Sequence, residues 1–77
     1  MADITPYLKG QSFDPEMLHV MGLAFDKARR HLHDTGQPAV IQELIAERII
    51  FRARTGMRDP DRLARGALED LGVPPKT

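Results

Sequence analysis

Residues 37–55, QPAVIQELIAERIIFRART, decide the fold of this chain. At 100° per residue, a helix over this stretch presents apolar side chains in most directions, with Val40, Leu44 and Phe51 on one line. Charge is confined to two narrow sectors, one with Glu43, Glu47 and Arg54 and one with Arg48 and Arg52. A helix that is apolar nearly all round is covered by other elements. We therefore expect the neighbouring segments, with or without a second protein, to pack around it.

The composition indicates one small helical domain. The chain has 77 residues, which is enough for a single domain. It has no cysteine, which excludes disulfides, thiolate zinc sites and thiol nucleophiles and fits a reducing compartment. Eleven basic and eleven acidic side chains give a formal net charge of zero, so no overall field favours nucleic acid or an anionic membrane. A core of Leu, Ile, Met and Ala suits helices better than strands.

No targeting or membrane segment is expected from the sequence. The first ten residues, MADITPYLKG, contain an acid and a proline and lack the basic region and apolar run of a secretory signal. No apolar run approaches the roughly 18 residues of a membrane span. We therefore predict a soluble, cytoplasmic protein with no membrane partner.

The first 35 residues predict a loose arm followed by the clearest amphipathic helix. Residues 1–11 have no period and are interrupted by Pro6 and Gly10, so we predict a flexible N-terminal arm. The three-helix domain is predicted over residues 12–73. Its first helix, over about residues 15–33, begins with Asp14 as the N-cap and Pro15 at the first helical position. Asp26 is placed to pair with Arg30 one turn later.

Two further helices follow after short connections. The second, over about residues 38–55, opens at Pro38, capped by Gln37 or Thr35, and Gly56 ends it. The third, over about 60–71, repeats the cap and proline pattern in Asp59-Pro60-Asp61, with Asp61 placed to pair with Arg65. Gly66 indicates either a close helix crossing or a tolerated surface position. Gly72 ends this helix, and residues 74–77 form a tail. The sequence thus predicts an all-α fold, a small three-helix bundle.

The frames FDPEM, HDTGQP, IAERII, RDPDRL and ALEDLG resemble a group of short uncharacterised bacterial proteins that are entirely helical. The resemblance spans about residues 13 to 72. These frames are mostly caps, turns and core positions, so the resemblance implies the helical architecture and a bacterial source. It implies no reaction, ligand or partner, and it transfers no functional residue.

No catalytic or metal-binding pattern is found. His31 and His33 lie two residues apart, so on a helix they point about 200° apart and do not share a metal. Zinc requires three or four converging ligands. Glu43 and Glu47 lie one turn apart, but a solvated helix face explains them more simply than a shared proton or metal. We predict that the protein is not an enzyme and has no cofactor, metal or small-molecule substrate.

Arginine clusters between residues 48 and 65. The six are Arg48, Arg52, Arg54, Arg58, Arg62 and Arg65, with Asp59 and Asp61 as the only acids between them. The leading prediction is a protein-interaction or self-assembly module whose second helix and arginine ridge form the contact surface. The residues predicted to bind the partner are Ile50, Phe51, Arg48, Arg52, Arg54, Arg58 and Arg62. The alternative is a small nucleic-acid-binding protein that uses Arg48 to Arg65, although acids flank the third helix and the chain is neutral.

The geometry of the second helix predicts how it associates. Two helix stripes of about 100° each leave part of its circumference uncovered. Either Ile50 with Ala46, or Val40 with Phe51, is then left exposed. We favour a symmetric homodimer as the cover. The competing prediction is that the N-terminal arm covers the gap through Tyr7 and Leu8.

Overall fold

The computed structural model describes residues 4–8, 10–35 and 41–73. These ranges contain one 3-10 turn, Thr5–Tyr7, and three helices, α1 (Pro15–Thr35), α2 (Ile41–Arg54) and α3 (Pro60–Asp70), and no strand. α3 packs against both α1 and α2, and α1 also packs against α2. The predicted all-α three-helix bundle is confirmed. The predicted start of the second helix at Pro38, its caps and the tail at 74–77 lie outside these ranges or depend on side chains outside them.

Both predicted aspartate N-caps are confirmed. The Asp14 Oδ1 atom accepts a hydrogen bond of 2.7 Å from the backbone N–H of Met17 at the start of α1. The Asp59 Oδ1 atom accepts one of 3.0 Å from the backbone N–H of Asp61 at the start of α3. Each bond satisfies a backbone donor that the first helical turn leaves free. The prolines that follow the caps suit the first helical position, because proline has no backbone N–H and a helix offers no acceptor for an N–H at that position.

Glycine ends the second and third helices, as predicted. Gly56 and Gly72 adopt φ angles of 102° and 72°, in the left-handed region that glycine enters without steric cost. After α3, the N–H of Gly72 donates to Glu69 O and that of Val73 to Leu68 O, both at 3.0 Å. These are the two hydrogen bonds of a Schellman motif. Val73 is buried, so the turn also directs an apolar side chain back onto the core.

One apolar core fills the space between the three helices. The fully buried large side chains include Met21 and Leu32 from α1, Ile45 and Ile49 from α2 and Leu63 from α3. No charged or polar residue is buried in the described part of the chain. The core is therefore built of apolar side chains, and the charged groups of the described residues lie outside it.

The described part of the N-terminal arm packs on the bundle, which corrects the prediction of a loose arm at these residues. Ile4 and Leu8 are buried in the same core cluster as the helices. The turn between them contacts α2, and the Tyr7 ring meets the Phe25 ring edge-on, with centroids 5.5 Å apart. The competing prediction, that this arm covers α2 through Tyr7 and Leu8, agrees with the burial of Leu8 and the contact of the turn with α2, although Tyr7 itself packs on α1.

The ion pairs of α1 and α3 match the sequence in part. Asp26 and Arg30 pair at 2.8 Å one turn apart, as predicted. Asp61 was predicted to pair with Arg65, but its Oδ1 atom lies 3.0 Å from Nζ of Lys27 on α1. That prediction is wrong because the packing of α1 against α3 brings a lysine to the first turn of α3. The salt bridge thus links two helices.

Candidate interaction surface on the second helix

Two large apolar side chains on α2 remain exposed. Leu44 is 45% exposed and Phe51 is 51% exposed, and they are the exposed large hydrophobic residues of the described ranges. They lie seven positions apart, so their directions differ by only about 20° and their heights by about 10 Å. We call this line and its charged neighbours, Glu43, Glu47, Arg48 and Arg54, the α2 face. Leu44 was not among the residues predicted to bind a partner, although its spacing from Phe51 carried the signal.

Ile50 does not belong to this surface. It is 3% exposed, and Ala46 is fully buried. The expectation that this pair would be left uncovered is wrong because the segment at residues 4–8 packs on α2 as an additional covering element. Phe51 is exposed, as in the second of the two expected arrangements, and Val40 lies outside the described residues. Ile50 is therefore not available as a contact of the predicted dimer.

Arg48 fixes one face of the Phe51 ring. Its guanidinium carbon lies 4.6 Å from the ring centroid, a cation–π distance. The same guanidinium contacts the carboxylate of Asp70 on α3, with Nε donating to Oδ2 at 3.0 Å. Because Asp70 holds the cation and the cation covers the ring, the exposed aromatic side chain is tied to the opposite helix.

A second arginine completes a clamp between α2 and α3. Arg52 donates from Nε and Nη2 to the two carboxylate oxygens of Asp70, at 3.0 and 2.8 Å. Its path crosses Gly66 on α3, where an added Cβ would lie 2.7 Å from the guanidinium carbon. Gly66 is buried, so it is not a surface position, and the atoms nearest to it belong to the Arg52 side chain rather than to the backbone of a crossing helix. We call Arg48, Arg52 and Asp70 the α2–α3 clamp.

The clamp shifts the pKa values of its members. The hydrogen bonds from Arg52, supported by Arg48, hold the pKa of the Asp70 carboxyl below its usual value near 3.8. The hydrogen bond to Asp70 likewise raises the pKa of the Arg52 guanidinium above its ordinary value. Desolvation opposes both shifts and is outweighed. The clamp is therefore fully charged at neutral pH.

The predicted arginine ridge is divided by acids. Besides the clamp, Arg58 contacts Asp14 at 3.4 Å and Arg62 contacts Asp59 at 3.8 Å. Arg54 and Arg65 are exposed and have no ion pair within the described ranges. Four of the six arginines thus share their charge with a carboxylate. A phosphate backbone requires a row of uncompensated cations, so this geometry does not favour the nucleic-acid alternative.

The remaining candidate residues do not converge on a chemical site. His19 and His33 are exposed and His31 is half-buried. The described residues contain no group of three or more His, Asp or Glu side chains that could hold a metal ion. An open cavity of about 380 Å³ lies between the start of α1 and the end of α2, lined by Phe13, Asp14, Met17, Arg54 and Arg58 among others. The Asp14 carboxylate in this cavity already accepts the hydrogen bond that caps α1.

Comparison with known proteins adds no relative. No protein-family model, no curated protein and no solved structure matches this chain. The resemblance to short bacterial proteins therefore stays a prediction. Among the described helices, none is long and apolar enough to cross a membrane.

Proposed function

We propose that this chain is a small non-enzymatic module that binds another protein chain through the α2 face. The observation that carries the proposal is the exposed alignment of Leu44 and Phe51 on one line of a single helix. Large apolar side chains that stand singly on a surface are ordinary, whereas exposed apolar surface shared by several side chains indicates a contact site. The absence of cysteine supports a cytoplasmic location for the module.

Burial of this pair would supply part of the binding energy. Complete burial of a Leu or Phe side chain contributes about 1.5–3 kcal/mol. Since roughly half of each side chain is already covered, a partner would gain about 2 kcal/mol from the two together. A contribution of this size fits a contact of moderate affinity, in which polar groups supply the rest of the binding free energy.

The fixed geometry of Arg48 and Phe51 favours binding further. Aromatic and arginine side chains carry much of the energy in protein interfaces. Asp70 holds Arg48, and Arg48 stacks on Phe51. Ordering a side chain costs free energy on association, and a side chain already held by its neighbours loses less. The α2–α3 clamp would therefore prepare the centre of the contact surface before the partner arrives.

Photo-crosslinking in the native host cell tests this proposal. A benzophenone amino acid replaces Phe51 in one variant and Arg65 in a control variant. Arg65 is also exposed but lies on α3, with no ion pair within the described ranges. We expect a discrete protein adduct from position 51 and little or none from position 65. The mass of the adduct then distinguishes a second copy of this chain from another protein.

Two results would contradict the proposed function. One is the absence of any protein adduct at position 51 after irradiation, with the variant present at normal abundance. The other is an equal pattern of adducts at both positions, which would reflect collision rather than binding. Circular dichroism of both purified variants shows that each retains the helical fold.

A further inference from the structure

We propose that the partner of the α2 face is a second copy of this chain, with the two α2 helices antiparallel about a two-fold axis. The inference rests on the proposed function and adds the identity and orientation of the partner. In this arrangement Leu44 packs against Phe51 of the partner subunit, and Glu43 pairs with Arg54 of the partner subunit.

The outer charges of the α2 face, Glu43 and Arg54, are self-complementary. Its acids, Glu43 and Glu47, lie in the first half of α2, and its bases, Arg48 and Arg54, lie in the second half. A two-fold interface places the same patch on both subunits, so a patch of one sign would repel itself. Glu43 and Arg54 fall opposite unlike charges under such an axis. Glu47 and Arg48 lie near the axis and meet their own copies, and Arg48 is already paired with Asp70. Antiparallel helices bring the acidic half of one beside the basic half of the other and oppose the helix dipoles favourably.

Helix geometry gives the pairing of Glu43 with Arg54. With 100° and 1.5 Å per residue, both lie on the same side of the Leu44–Phe51 line, at about 90° and 70° from it. A two-fold axis perpendicular to both helices brings equal sides together. If the axis passes midway between Leu44 and Phe51, Glu43 and Arg54 of the partner subunit differ in height by only about 3 Å.

A parallel pair is less favourable for the same residues. Parallel helices in register place residues of equal number at equal height. Arg54 would then meet Thr55 and the bases Arg52 and Arg54 of the partner subunit, with no acid of α2 within reach. Arg54 has no ion pair within the described ranges, so nothing within those ranges would compensate it.

The contact should be weak. α2 has 14 residues, so it is about 21 Å long, and one helix face of this length buries less than the roughly 800 Å² per partner of a standard interface. Glu47 also lies close to the proposed axis, where Glu47 of the partner subunit approaches it. We therefore expect an equilibrium between monomer and dimer that shifts with concentration over the micromolar to millimolar range.

Sedimentation analysis of the full chain with reversed charges tests the orientation. The variants are Glu43→Arg, Arg54→Glu and the double variant, compared with wild type from about 10 µM to 1 mM at low salt. Each single change replaces two attractive pairs by two repulsive ones, so we expect dimerisation to weaken by about tenfold or more. The double variant restores attraction and should recover most of the wild-type affinity.

Mixing the two single variants sharpens the test. Glu43→Arg carries two bases at these positions and Arg54→Glu carries two acids, so the mixture should form heterodimers more readily than either variant alone forms homodimers. Arg65→Glu on α3 is the matched control and should dimerise like wild type. Thermal unfolding of each variant identifies a temperature at which all of them are folded, and sedimentation is compared at that temperature.

The outcomes separate this inference from the proposed function. A wild-type protein that stays strictly monomeric at about 1 mM overturns the second copy as partner. A different mass crosslinked at position 51 would then leave the proposed function standing. Dimerisation that each single change weakens but the double variant does not restore overturns the antiparallel orientation. Dimerisation that none of these changes affects places the contact elsewhere and overturns the inference.

Discussion

Gly66 is the residue whose role depends most on its neighbours across the bundle. The Arg52 guanidinium lies where a side chain at position 66 would be, and this position lets it reach Asp70 one turn further along α3. Glycine inside a helix costs about 1 kcal/mol relative to alanine. The α2–α3 clamp offsets that cost by joining two helices through charge-assisted hydrogen bonds.

Gly66→Ala should weaken the clamp more than it changes overall stability. Alanine favours the helix, but its Cβ displaces the guanidinium of Arg52, so the two effects oppose each other and the net change should be within about 1 kcal/mol. The decisive comparison is the cost of Asp70→Asn, measured by denaturant unfolding with glycine and with alanine at position 66. We expect the cost to fall to about half with alanine, since Arg48 still contacts position 70. An equal cost in both backgrounds would show that Arg52 does not depend on Gly66.

Asp70→Asn should destabilise the protein in a pH-dependent way. The folded pKa of Asp70 lies below its usual value near 3.8. The ionised carboxylate therefore stabilises the fold fully above that usual value, and this contribution is lost as pH falls through the lower folded pKa. The partners are more than a third exposed, so screening limits the loss at neutral pH to about 1 kcal/mol. Unfolding curves of both proteins should converge at acid pH. A difference that persists unchanged at about pH 2 would contradict the charge-based explanation.

At the scale of the helices, most of what the sequence predicts correctly comes from local signals. The caps, the prolines after them and the terminal glycines all act within four residues of their own position, so the sequence alone locates the ends of α3 and the start of α1. The covering of α2 is not local. Ile50 is buried where residues 4–8 pack back onto the bundle. The apolar residues of the arm suggested this cover only as an alternative to a dimer, because a short segment without a helical period does not specify where it packs.

The two aspartate caps make a prediction at the same scale. Asp14→Ala and Asp59→Ala should each cost about 0.5–2 kcal/mol because each leaves a backbone N–H of the first turn without its acceptor. Asparagine keeps that acceptor, so Asp14→Asn and Asp59→Asn should retain most of the stability. Urea unfolding monitored by helical circular dichroism measures all four variants. Unchanged midpoints for both alanine variants would mean that the helices begin elsewhere.

At the scale of the whole molecule, the bundle follows from its sequence, but the placement of its charges does not. Arg48 and Arg52 on α2 pair with Asp70 on α3, which lies 22 and 18 residues further along the chain. Lys27 on α1 likewise pairs with Asp61 on α3. Sequence spacing indicates pairs within one helix, and these pairs depend instead on how the helices pack. For that reason the six arginines form a basic segment in the sequence but a set of largely compensated cations in the fold.

Only part of the α2 face could be predicted from the sequence. Phe51 and the arginines beside it could be selected from the sequence, whereas Leu44, although it shares a line with Phe51, was not selected because the sequence does not say which side of α2 the other elements cover. Once Ile50 is removed from the surface, Leu44 and Phe51 remain as the one exposed apolar line of the described ranges. The proposed association through α2 therefore rests on this pair.

A dilution series followed by amide chemical shifts measures that association most directly. The backbone amide signals of the uniformly labelled chain are recorded from about 1 mM down to 20 µM, at low salt. We expect concentration-dependent shifts at Leu44, Arg48 and Phe51, and none at exposed positions such as Arg65 on α3. Phe51→Ser should abolish them. Shifts that map to α1 or α3, or signals that stay constant over the whole series, would contradict self-association through α2.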